Sequence, residues 1–367
     1  MKYLKIFFIN FILIILGSYL LNFLLINYYN LNSPHIEIKG NDSFSQNERL
    51  VKFRENQINK KEIIKIPDKF KNNFDYNEVL YETDSHGYIK PSDIYSKPDF
   101  NFFFLGGSTT ENLYTQPEKR FPYLIAKKLK NKLGLKINSF NAARSKNNSL
   151  HSLNLLINKI INLKPDVVFL HHAINDQHIF LFGDNFYWNN NNDRQILINP
   201  NTKVSLNKKI TIYLKNNFSG IYALYSIIKY NYSKDKKLLV NKNEVNNKNK
   251  LINSENIEQF LKINKIFISL SNTYNFKLIY IIQASNFKQN DYRKETQRKY
   301  IKVLKGFLNK QSLDKKNNLY YIDLSSRLDN NSKYFYDEMH FNVLGNETVS
   351  DIISEEIIKK KILAIKN

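Results

Sequence analysis

Residues 102–112 read FFFLGGSTTEN, and the fold follows from how that stretch is read. Phe102 to Leu105 are apolar without alternation, the pattern of a strand covered on both faces. Two glycines then stop the run, and Ser108, Thr109 and Thr110 follow before the chain turns helical. A backbone that turns sharply at the end of a buried strand leaves one side chain exposed at the sheet edge. Ser108 is that side chain. A strand, a Gly-Gly turn and a Ser/Thr helix cap occur in many folds, so the hydroxyl is weighed against what the rest of the chain brings to the same edge.

Working outward, five buried strands are expected at 101–105, 136–141, 166–171, 277–282 and 319–323. Helical stretches separate them at 121–133, 149–163, 254–274, 291–307 and 343–361. Leu150, Leu153, Ile157 and Ile160 recur at spacings of three and four, which gives such helices one inward face. Strands alternating with helices imply an α/β fold with a parallel sheet covered on both sides. The alternation breaks once, at about 179–253, and this stretch reads as an insertion. Its semi-apolar middle, with Ile210, Leu214, Phe218 and Ile221 as a stripe, reads as a packed element or as one lying on a membrane surface.

The N-terminal residues 1–30 carry no charge after Lys5 and are dominated by Ile, Leu and Phe, long enough to cross a bilayer. Lys2 and Lys5 precede the run, and no small-x-small cleavage site follows it. The expectation is an uncleaved transmembrane signal anchor with the bulk of the chain exported. Residues 31–100 are polar and mixed, a stalk and lead-in to a domain spanning 101–367.

The chain has 367 residues, 42% of them hydrophobic, enough for a real core. Its formal net charge is +22, but the lysines are spread among asparagines and isoleucines along the whole length. No basic-aromatic cluster or nucleic-acid-binding motif accompanies the charge, so no nucleic-acid partner is expected. The absence of cysteine excludes disulfides, thiolate catalysis and thiolate metal sites. His171 and His172 are adjacent on a strand and point to opposite faces, a poor arrangement for two ligands of one metal. No metal or cofactor is expected.

In an open parallel sheet, functional groups gather at the carboxyl ends of the strands. Asn141–Ser149 follow the second strand, Ala173-Ile174-Asn175-Asp176 the third, and Asp337-Glu338-Met339-His340 lie beyond the fifth. A hydroxyl, a carboxamide and an Asp with a His three residues on thus converge on one edge, as acyl transfer requires. Serine is a weak nucleophile until a base removes its proton, which is the part read for His340, with Asp337 holding the imidazole tautomer. The oxyanion needs donors: the Ser108 N–H, an N–H from the loop after the second strand, and the Asn175 side chain. Asp176 reads as a base or a cap, and Gln283 and Ser285 as cleft or turn residues.

The blocks GGST at 106–109, AIND at 173–176 and DEMH at 337–340 resemble the SGNH (GDSL-like) hydrolases in order and spacing, over about 101–355. The resemblance implies a flavodoxin-like three-layer α/β/α sandwich with a five-stranded parallel sheet. It implies Ser108 as nucleophile, Asp337 and His340 as its partners, and Asn175 as oxyanion amide. Lys146 stands where the family has a glycine that supplies the other oxyanion N–H, and Ala143 and Ala173 replace further glycines. A backbone donor survives such a change if its φ is allowed, although a side chain at positive φ is strained. The family acts as esterases, lipases, carbohydrate deacetylases and acyltransferases. The expected function is therefore hydrolysis of an O-acyl ester of a glycan or lipid. The alternatives are an O-acyltransferase acting on an envelope polysaccharide and an inactive glycan-binding module.

Overall fold

In this computed structural model, residues 2–32, 56–177, scattered positions from 213 to 228, 254–288, 291–314 and 316–363 are described. The chain forms two compact units. One comprises Met1–Arg49 with Ile198–Leu251, the other Leu50–Leu197 with Ile252–Asn367.

The larger unit is an α/β sandwich built on five parallel strands: β3 (Phe100–Gly106), β4 (Ile137–Asn141), β5 (Val167–His171), β6 (Lys277–Ile282) and β7 (Leu319–Asp323). Their spatial order is β4-β3-β5-β6-β7. The first strand of this set is thus flanked by the second and third, the flavodoxin-like order, and its carboxyl end lies at the switch point where such sheets bind ligands. Largely apolar runs make the central strands β3, β5 and β6 because both their faces are covered, whereas the edge strands carry polar residues, Asn138 and Ser139 in β4 and Asp323 in β7. Phe102 and Phe104 face a core shared with α3 (Phe121–Leu133) and the C-terminal helix, whereas Phe103 and Leu105 face the helices of the opposite layer. Phe104 stacks on Phe169 of the neighbouring strand at 4.2 Å between ring centroids. Such pairs add about 0.5–1.5 kcal/mol beyond their area burial.

The helix expected over 149–163 is three pieces: α4 (Ser149–Leu155), a π turn (Leu156–Ile160) and a 3-10 turn (Ile161–Leu163). Apolar spacing reports a helical face but not a one-residue change of winding. α5 (Ser254–Tyr274) has its expected bounds. α6 (Tyr292–Ser312) runs one turn beyond 307, and the C-terminal helix, labelled α8 (Val343–Lys359), stops two residues short of 361. Two short helices, α2 (Ser108–Glu111) and α7 (Ser325–Leu328), follow β3 and β7 directly.

The stretch expected as stalk and lead-in folds into this unit from Asn56 onward. β1 (Lys61–Lys65) pairs antiparallel with β2 (Glu78–Glu82), and the Ile89 N–H donates to Asn141 O at 2.8 Å, covering the edge of β4. Tyr88 enters the core edge-on to Phe103. The hairpin was illegible because β1 breaks the alternation: Glu62 takes an inward position and Ile63 an exposed one, although Val79 and Tyr81 of β2 are buried.

The smaller unit contains α1 (Lys2–Asn32), whose segment Asn10–Asn27 is long and apolar enough to cross a membrane. Of the insertion's stripe, Phe218 and Ile221 are described and Ile210 and Leu214 lie outside the described residues. Phe218 packs its ring against Tyr19 of α1.

Candidate active site

Ser108 opens α2 directly after the Gly-Gly turn. The turn needs glycine for space rather than for φ. Gly107 is extended, at φ −96° and ψ −153°, and a Cβ there would lie 2.6 Å from Asn175 Nδ2 and 3.2 Å from Asn147 O. The loops after β4 and β5 therefore press directly on the backbone that precedes Ser108.

The serine meets a histidine from the far end of the chain. His340 Nε2 lies 2.8 Å from Ser108 Oγ, and His340 Nδ1 lies 2.7 Å from Asp337 Oδ2. The tautomer with its proton on Nδ1 donates to Asp337 and leaves Nε2 to accept from the serine hydroxyl. Asp337 Oδ1 accepts from the N–H groups of Met339 and His340, each at 2.8 Å. Burial works against the charge of Asp337, but the hydrogen bonds from His340 and these two N–H groups outweigh it and hold the carboxyl below its ordinary value. The 337–340 loop is rigid at its base. Phe335 and Phe341, both buried, form an antiparallel bridge, and the Tyr336 N–H donates to His340 O at 3.0 Å. Tyr336 stacks on the imidazole at 5.4 Å with 9° between planes.

The other expected residues come to the same edge. Asn175, 7% exposed, donates from Nδ2 to Asn147 O at 2.8 Å, which fixes its amide plane and leaves the second amide hydrogen for another acceptor. Lys146 lies in the loop between β4 and α4 at φ +69°, the left-handed region that glycine occupies without strain. A lysine there costs about 1–2 kcal/mol, so its surroundings must enforce the shape.

Glu111, which the sequence reading passed over, holds the residue next to Lys146. It ends α2, three residues after Ser108, and is buried. Its carboxylate accepts from the Ser145 N–H at 2.9 Å, from Ser145 Oγ, and from Tyr81 OH at 3.3 Å. Burial pushes its carboxyl up, and the Ser145 hydrogen bonds oppose that rise. Asn56 Nδ2 holds the same loop through Ala143 O at 3.0 Å. The helical spacing from Ser108 was the available signal for Glu111. Glu111→Gln replaces an acceptor with a donor against Ser145 and is expected to lower kcat for any acyl transfer begun by Ser108 on the order of 10- to 100-fold with KM little changed. Steady-state kinetics beside a thermal melt check this.

The weaker candidates resolve into structural parts. Asp176 caps α4 rather than the segment after it: Oδ1 accepts from Ser149 N at 2.9 Å and Ser149 Oγ at 3.0 Å. The N–H of Ser285 donates to Asp329 Oδ1, Gln283 O accepts from Gln297 Nε2, and both residues are buried after β6. His171 Nδ1 pairs with Thr110 Oγ1 at 2.9 Å and His172 Nε2 with Ser152 Oγ at 2.8 Å. Burial lowers both imidazoles to about 3, keeping them neutral. Among the described residues no cluster of three His, Cys, Asp or Glu is placed to hold a metal.

Burial raises Asp176 to about 6, above its ordinary 3.8, against the opposing hydrogen bonds from Ser149 and Tyr300. The folded state thus holds this proton more tightly than the unfolded chain. The group carries no penalty below about pH 4, and destabilisation grows through about pH 4–6 to about 3 kcal/mol. Asp176→Asn is expected to flatten that decline, gaining on the wild type as pH rises through this window. Urea unfolding at a series of pH values reads it.

No family model matches the chain, and no curated protein matches it. Solved structures do. An acetyl xylan esterase, AlAXEase, aligns at 14% identity over 70% of this chain and 99% of its own, with a TM-score of 0.42. Axe2, an acetylxylan esterase from Geobacillus stearothermophilus, aligns at 14% identity over 70% of this chain and 94% of its own, also at 0.42. LAE5, an alpha/beta hydrolase enzyme from the metagenome of Lake Arreo, Spain, aligns at 12% identity over 74% and 99%, at the same score.

Proposed function

We propose that this protein is a serine esterase of the SGNH type that cleaves an O-acyl ester through a covalent acyl-enzyme. We further propose that α1 anchors it in a membrane with the sheet unit on the extracytoplasmic side. The observation that carries the enzymatic reading is the unbroken hydrogen-bond chain from Ser108 Oγ through His340 to Asp337, at 2.8 and 2.7 Å.

As Ser108 Oγ bonds to the ester carbonyl carbon, its proton passes to His340 Nε2, and Asp337 stabilises the imidazolium. The carbonyl oxygen becomes an oxyanion, received by the N–H of Ser108, the N–H of Lys146 and the free amide hydrogen of Asn175. Collapse of this intermediate breaks the ester C–O bond, and His340 Nε2 returns its proton to the departing alkoxide. Water then adds to the acyl-enzyme with its proton going to His340, and the acid leaves as Ser108 regains its proton. The substrate is an acyl ester of a glycan or lipid.

The test is turnover by the full chain in detergent on nitrophenyl esters of increasing chain length and on O-acetylated oligosaccharides, with acid release followed by titration. Release from at least one member of the panel is expected, and product mass tells water from a sugar hydroxyl as acceptor. A folded protein that releases acid from none contradicts the reading.

A further inference from the structure

The smaller unit contains a polar contact that an isolated membrane span has no use for. The described apolar side chains of α1 are mostly exposed, Ile14 for example by 67%, but Asn22 is only 8% exposed. An amide without a partner in hydrocarbon costs several kcal/mol. Asn22 has its partners in the insertion: Oδ1 accepts from the Gly220 N–H at 2.7 Å and the Ile221 N–H at 3.3 Å. Gly220, Ile221 and Tyr222 are helical, and a helix's first N–H groups lack partners of their own. Asn22 Oδ1 and these two N–H groups therefore satisfy one another.

The approach is also close. A Cβ on Gly220 would lie 2.6 Å from Asn22 O and 2.9 Å from Leu25 Cβ, so only glycine fits against α1 here. One turn earlier, Tyr19 and Phe218 bring their ring centroids to 5.1 Å. Tyr19, Asn22 and Ile26 share one face of α1 at spacings of three and four, and that face meets the insertion.

We infer that the segment around Gly220 is a second membrane element, seated in the lipid leaflet that surrounds the C-terminal half of α1 and latched to it by Asn22. This rests on the reading of α1 as a membrane span. Asn22 lies five residues before Asn27, the end of the apolar window, or about 7.5 Å along the helix. One leaflet's hydrocarbon is about 15 Å deep, so Gly220 at the level of Asn22 is within it. The exposed residues nearby suit lipid: Tyr213 at 60%, Tyr225 at 55% and Ile228 at 58%. Tyrosine favours the zone between headgroups and hydrocarbon. Both flanks of the insertion continue in sequence into the sheet unit, so the element enters and leaves on one side and does not cross.

The chain has no cysteine, so single cysteines report single sites. Full-length protein in phosphatidylcholine–phosphatidylglycerol vesicles would carry a fluorophore at Ile228→Cys, at Ile14→Cys as the span control, or at Leu313→Cys. Leu313, 82% exposed in the sheet unit, is the water control. The Ile228 label is expected to follow Ile14, quenched several-fold more by doxyl lipid than by iodide, with Leu313 showing the reverse. An Ile228 label that follows Leu313 while Ile14 reads lipid overturns the inference. If Ile14 itself follows Leu313, the span reading fails and takes the inference with it. Tyr19→Cys with Phe218→Cys should cross-link on oxidation in these vesicles, and adding Asn22→Leu should slow the cross-link several-fold. No cross-link in the parent pair contradicts the latch.

Discussion

Replacing Ser108 with alanine is expected to lower kcat for ester hydrolysis by roughly 10⁴- to 10⁶-fold. The substitution removes the atom that bonds to the acyl carbon and little else. Ser108 is half-buried, its hydroxyl hydrogen bond to His340 is worth about 1 kcal/mol, and the Gly-Gly turn that shapes its backbone is untouched. The melting temperature should therefore stay close to that of the wild type, which separates lost chemistry from lost fold. His340→Ala should cost a similar factor, and the double variant little more than either alone, because the two side chains act as one unit. Kinetics of the three variants beside thermal melts check this.

Asn175→Ala is expected to lower kcat by roughly 10²- to 10³-fold with a much smaller change in KM, as removal of an oxyanion donor does. The variant has a structural side as well, since Asn147 O loses the donor that lies 2.8 Å from it. Asn175→Asp puts acceptors both where the oxyanion forms and against Asn147 O, so its activity should fall at least as far as that of the alanine variant and its melting temperature at least as far. Comparing kcat with Tm in the alanine variant separates the two roles: a roughly 10²-fold loss of kcat well below the melting temperature marks an oxyanion donor, whereas a lowered Tm with kcat near that of the wild type would make Asn175 a loop strut instead. Steady-state kinetics with one short ester and a melt for each variant distinguish these outcomes.

The central strands β3, β5 and β6 could be read from the sequence because they are buried on both faces, and the edge strands β4 and β7 from their place in the alternation. Runs such as Phe102 to Leu105 and Val167 to His171 admit no other environment, and their bounds differ from expectation by a residue at most. The edge at which Ser108, Asn175 and the Asp337–His340 loop gather follows from strand order alone. What sets the fine geometry was not readable. Lys146 takes its left-handed φ next to Ser145, which Glu111 grips, a contact between residues 34 positions apart that no local period announces. Residues 56–89 form an edge cover whose short hairpin carries too little apolar alternation to be recognised. The insertion's stripe was readable as apolar, but its partner on α1 depends on a single glycine and a single asparagine.

The central claim is that Ser108 Oγ is the atom that becomes acylated. A fluorophosphonate reacts much faster with a serine activated by a neighbouring base than with other side chains, and peptide mass mapping locates the adduct. The account predicts one stoichiometric adduct on the peptide containing Ser108, absent from Ser108→Ala and formed far more slowly in His340→Ala. An adduct on Thr109 or Thr110, or labelling that survives Ser108→Ala, would contradict it.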